Sequence, residues 1–167
     1  MHALTRWTRH LWLDAADARK LLGSSGLQRL EQAVRDSEAR HMGELRLCIE
    51  AGLPVASLWH GTSPRDRAVT LFSQLRVWDT EHNNGVLIYL LLADKRIEIL
   101  ADRGLHARVG SQTWQEITDQ LSTALQSGRY EDGLIQAIDA VSALMRQHFP
   151  LTSEPNRNEL PDAVVLI

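Results

Sequence analysis

Hydrophobic and polar positions change period several times along the chain, and each change marks an element. From Asp14 to Leu22, and again from Gly26 to His41, apolar residues recur at helical spacing, with Leu27, Leu30, Ala33 and Val34 on one face of the second segment. Ser24 or Ser25 supplies its N-cap and Gly43 stops it. The period then drops to two. Between Glu44 and Ala51, Leu45, Leu47 and Ile49 fall on one side of a strand and Glu44, Arg46 and Glu50 on the other. Gly52 and Pro54 open a loop; Ser63, Pro64 and Asp66 then read as an N-cap, a proline at the first helical position and an acid in the first turn. A helix burying Ala68, Val69, Leu71, Phe72 and Leu75 is expected to follow.

The stretch from Arg76 to Gly85 is polar and loop-like, and it runs into the unbroken apolar segment Val86 to Ala93. That segment is too short for a buried helix and reads as a strand covered on both faces. Asp94, Lys95 and Arg96 make a tight connection to Ile97–Ala101, which predicts an antiparallel hairpin. Two longer helical patterns follow, Gln112 to Ser127 and Glu131 to Phe149, the second closed by Pro150. The order is helix, helix, strand, helix, strand, strand, helix, helix. A strand–helix–strand crossover makes the first two strands parallel, so the fold class is α/β: a three-layer α/β/α sandwich with a small mixed sheet, a parallel crossover unit plus an antiparallel hairpin. Residues 1–24 form an N-terminal helical segment, 25–150 the α/β/α domain and 151–167 a polar tail. The tail ends in the apolar Ala163-Val164-Val165-Leu166-Ile167, which can add as a strand to its own sheet or to that of a partner, and self-docking is expected because an exposed run of this kind invites aggregation.

Charge and composition narrow the partners. Eighteen Lys and Arg against 21 Asp and Glu give a net charge of -3, no electrostatic footprint for nucleic acid. The longest apolar run is far short of the ~20 residues that cross a bilayer, and Asp14 and Asp17 interrupt any export signal. No membrane span is expected, and the location is read as cytoplasmic, peripheral at most to the inner membrane. One cysteine excludes a disulfide framework. The five tryptophans are too scattered for a stacking platform and read as packing. No phosphate-binding loop, dinucleotide fingerprint or nucleophile elbow is present.

The predicted topology gathers chemistry at one end of the sheet. Parallel strands begin there and the antiparallel strand finishes there, so Glu44, the segment Asp79-Thr80-Glu81-His82-Asn83-Asn84 and the segment Asp102-Arg103-Gly104 converge. Glu44, Asp79, Glu81, Asn83, Asn84 and Asp102 form an oxygen-rich set that suits a hard divalent cation, Ca²⁺ or Mg²⁺. The same residues also suit plainer roles: Asn-Asn-Gly is turn chemistry, and Asp102-Arg103 reads equally as a loop ion pair. A helix-loop-helix calcium loop starting at Asp79 is excluded, because its sixth and twelfth positions are Asn84 and Leu90. Glu38 and His41 read as a solvated helix end, Cys48 as a buried small hydrophobe, and His60 as a loop residue at the opposite end.

Gly43-Glu44-Leu45-Arg46, Asn83-Asn84-Gly85-Val86-Leu87, the Asp94-Lys95-Arg96 turn, Gly104-Leu105 and the segment Gly128 to Gly133 together resemble the TPM-domain family, also called TPM phosphatases. The resemblance spans roughly residues 25 to 148 and is nearest to a short bacterial subgroup without signal peptide or membrane anchor. It implies an α/β/α sandwich and a calcium-binding or acid-phosphatase-like character, as in domains of chloroplast photosystem repair and bacterial envelope proteins. Asp102-Arg103 departs from the glycine and aromatic residue of many members. Two functions are therefore expected to compete. One is a non-catalytic binding module with a divalent-cation site, serving membrane-associated or stress-related complexes through a protein partner. The other is a metal-assisted phosphomonoester hydrolase, with Arg103 or His82 near the phosphate.

Overall fold

A computed structural model of the chain describes residues 2–153 and 156–167. The elements run α1 (His2–Trp12), α2 (Ala15–Glu38), β1 (Glu44–Glu50), α3 (Val55–Trp59), α4 (Pro64–Gln74), β2 (Gly85–Leu91), β3 (Arg96–Ala101), α5 (Arg103–His106), α6 (Ser111–Gln126), α7 (Tyr130–His148) and β4 (Val165–Leu166). The sheet order is β3-β2-β1-β4. β2 and β4 both run parallel to β1, and β3 runs antiparallel to β2, giving the expected mixed sheet with one addition at its edge.

The alternation in β1 sorts two cores. Leu45, Leu47 and Ile49 pack with Val86, Ile88 and Leu90 beneath α2, α6 and α7, whereas Cys48 joins Leu87, Tyr89 and Leu91 beneath α4. Helices on both faces make the three layers. They also bury β1 completely, including its charged positions. Glu50 survives there because Arg67 grips it with Nη2 at 2.7 Å and Nε at 2.9 Å, while the Tyr89 hydroxyl donates to it at 2.6 Å. Arg46 donates to the carbonyls of Pro161 and Ala163.

Several local expectations change. The first two predicted helices merge into α2, capped by Asp14 through the amides of Ala16 and Asp17 rather than by Ser24 or Ser25, with a break only at Gly23, φ 68°. α3 and α5 occupy stretches read as loop, because four or five residues carry too little periodicity to detect. Val69 is exposed, on the outer face of α4. Glu38 and His41, expected in solvent, are buried: Glu38 Oε1 accepts from the Leu45 amide at 2.8 Å, and the His41 ring lies between Ser37 Oγ and Gly43. Trp7 and Trp59 meet edge to face, 6.0 Å apart. His10 ties α1 to the rest, accepting from the Leu53 amide at 2.9 Å and reaching Asp94 at 3.0 Å.

The tail docks on its own sheet. Ala51 N–H donates to the Ile167 carbonyl at 2.7 Å and Ile167 N–H to the Ile49 carbonyl at 3.1 Å, which extends the pairing of Cys48 with Val165 and Ile49 with Leu166. Deleting residues 162–167 strips these bonds from β1 and reopens its edge. A loss of about 2 kcal/mol, or ~5 °C in Tm, is expected from thermal unfolding.

Candidate functional site

The end of the sheet where β1 and β2 begin and β3 finishes is built on Gly85. In the register Glu44 lies beside Gly85 on β1, and on the other side the Asp102 N–H donates to the Gly85 carbonyl at 2.8 Å. Paired residues face the same way, so Glu44 and Asp102 flank a residue that has no side chain, on the α4 side of the sheet. The chain after α4 folds over that gap. A Cβ on Gly85 would overlap the Val77 carbonyl oxygen, so the close approach requires glycine.

The two loops that were expected to meet do so. Gly104 N–H donates to the Asn83 carbonyl at 3.0 Å, and Arg103 Nε donates to Asn83 Oδ1 at 3.0 Å. Asn83 takes a left-handed conformation, φ 52°, which asparagine tolerates and which turns the chain into β2. Asn84 is fully buried; alternation puts it on the opposite face from Gly85, where its amide donates to the Met42 carbonyl at 2.6 Å. Asp102 caps α5, its Oδ1 accepting from Arg103 N–H at 2.7 Å.

At this end of the sheet, on opposite faces, two acceptors have no donor among the described residues. Asn84 Oδ1 and Asp102 Oδ2 are both buried and unpartnered. Such oxygens are costly unless water or a cation reaches them. Asp79 lies outside the corner, exposed and held by Arg76 Nη2 at 2.5 Å. Glu81 is likewise exposed, and its backbone amide donates to Glu159 at 3.0 Å.

Glu44 belongs to a second group that the pattern of the chain did not reveal. Its Oε2 accepts from Leu160 N–H at 3.0 Å, and Glu159 and Asp162 stand close enough to repel it. Burial first, and these neighbours next, push its carboxyl up to about 7, against the hydrogen bonds that favour the anion. Glu38 lines the same cleft with Asp162, Asn156 and Asn158, and burial pushes it up to about 9. The tail closes this cleft: Asn156 Nδ2 donates to the carbonyls of Glu38 and His41 at 3.1 and 3.0 Å. Nothing in the tail's spacing announces these contacts. The one available signal was an acid and a histidine immediately before a buried strand.

Among the described residues no three Asp, Glu, His or Cys side chains are grouped so as to hold a metal by themselves. Any cation here would rely on Glu44 and Asp102 together with amide and main-chain oxygens, a donor set that Ca²⁺ accepts readily. Cys48 offers no nucleophile, since burial pushes its thiol up to about 12. No helix among the described residues is long and apolar enough to cross a membrane.

Comparison with known proteins places the fold. A model of the TPM domain matches residues 15–144. No curated protein matches the chain. Among solved structures, the BA42 protein of the psychrophilic bacterium Bizionia argentinensis is similar at 26% identity and a TM-score of 0.76, covering 86% of this chain and 94% of that one. The N-terminal domain of a protein from P. gingivalis shares the fold at 23% identity and a TM-score of 0.60, covering 79% and 83%.

Proposed function

This chain belongs to the TPM-domain family, and from that premise we propose that it is a non-catalytic binding module. Its sheet end takes up Ca²⁺ or Mg²⁺ and it serves membrane-associated protein complexes. The observation that supports the cation most is the corner around Gly85, where Glu44 and Asp102 share a face and Asp102 Oδ2 is buried without a donor. Asn83 and Asn84 brace the rim, whereas Asp79 and Glu81 stand outside it in solvent. A divalent ion there neutralises the charge of both carboxylates.

Calorimetric titration of the metal-stripped chain tests this. Saturable heat with Ca²⁺ or Mg²⁺ is expected, weakened about tenfold or more by Asp102→Asn and about twofold at most by Asp79→Ala, whose carboxylate is already paired. Absence of heat at millimolar metal overturns the cation site. The hydrolase reading has less support. Cys48 is buried and unreactive, and Arg103 is already engaged by Asn83.

A further inference from the structure

β3 is the outer strand of the sheet, and among the described residues no strand pairs with its free side. Because Asp102 N–H bonds the Gly85 carbonyl, antiparallel alternation commits the backbone groups of Arg96, Glu98 and Leu100 to β2. Those of Ile97, Ile99 and Ala101 face outward. The orientation is visible directly, since Arg65 Nη1 donates to the outward Ile99 carbonyl at 3.3 Å. Among the described residues nothing answers the three outward N–H groups.

This edge lies at the floor of a groove of about 430 Å³ between α4 and α6. The two walls differ. Arg96 and Glu98 sit on the α4 side, where Arg65 also stands, while Ile97 and Ile99 sit on the side of α6, whose Trp114 lines the groove. Trp114 Nε1–H is buried with no acceptor. One carboxylate in the groove, Glu98, is already opposed by Arg65 at 3.4 Å, and among the described residues no carboxylate pairs with Arg96. The groove is thus a cationic, donor-rich slot on a chain whose net charge is -3.

We propose that the outer edge of β3 is the docking site for an extended acidic segment of a partner protein, which adds to the sheet as a further strand. Its backbone meets Ile97, Ile99 and Ala101, and its alternate side chains divide by wall, carboxylates toward Arg65 and Arg96 and apolar groups toward Trp114. Charge complementarity selects this occupant over a neutral or basic strand. The inference goes beyond the cation corner and does not depend on it.

The probe is acetyl-Asp-Val-Asp-Val-Asp-Val-amide, followed by amide NMR and hydrogen exchange on the full chain. Saturable shifts and slowed exchange are expected at Ile97, Ile99 and Ala101, with no binding of the Lys-Val counterpart. Ile99→Pro removes one outward N–H while sparing the ladder to β2, and Arg96→Glu reverses an exposed charge without touching the core. Each is expected to weaken the Asp-Val peptide about tenfold or more. Equal binding of both peptides, shifts confined to other surfaces, or unchanged affinity in Arg96→Glu overturns the proposal. So does sedimentation showing that a second copy of the chain closes this edge.

Discussion

Gly85→Ala is expected to destabilise the fold by about 3 kcal/mol, at the upper end of what overpacking costs. The added methyl would overlap the Val77 carbonyl oxygen and come within 2.9 Å of Val77 Cγ1. Backbone has no rotamer to yield, so the loop after α4 must lift from the sheet. The same movement opens the corner between Glu44 and Asp102. Denaturant unfolding would therefore report a lower midpoint, and any Ca²⁺ affinity measured for the parent should fall with it. The outcome that contradicts this packing is a variant whose midpoint matches the parent's.

Glu38→Gln is expected to stabilise the protein, and by more as the pH rises. Burial holds the Glu38 carboxyl at about 9, above its ordinary 4.5, so the folded chain keeps a proton that the unfolded chain has released. A raised carboxyl contributes its full share of stability below about pH 4.5 and loses it progressively up to about pH 9. At pH 7 that loss is on the order of 3 kcal/mol. Glutamine keeps an acceptor for the Leu45 amide and has no charge to bury. Glu44, raised to about 7, adds loss in the same direction over a narrower range. His41 acts oppositely: burial lowers it to about 4, so the stability it contributes is lost as pH falls from 6.5 through 4. Thermal unfolding from about pH 5 to about pH 9 should slope downward in the parent and flatten in Glu38→Gln. Identical slopes would refute the assignment.

How far the chain could be read in advance depended on how far apart the interacting residues lie. The hairpin of β2 and β3, the parallel crossover and the meeting of the Asn83 and Asp102 loops were all legible, because period-two alternation and short connections determine them. The burial of Glu38, Glu44 and Arg46 was not. Their partners are Leu45, Leu160, Pro161 and Ala163, and all but Leu45 come from the tail, which carries no periodic signal of its own. Alternation correctly assigned Glu44, Arg46 and Glu50 to one face of β1, but it did not say that α4 and the returning tail would supply the partners of those charges. Asp79 illustrates the reverse case. Its place in the loop made it a candidate ligand, but a neighbouring arginine three residues earlier claims it.

The central position of β1 has a kinetic consequence. Both its neighbours are parallel, so neither can be reached by a tight turn, and β4 returns from the far end of the chain. Closing those long loops costs entropy before any contact repays it. The β2–β3 ribbon can zip within microseconds, whereas threading β1 between its two distant partners is the slow event. Refolding should accordingly wait on non-local assembly, and chains caught before it expose the apolar flank of β1 to one another.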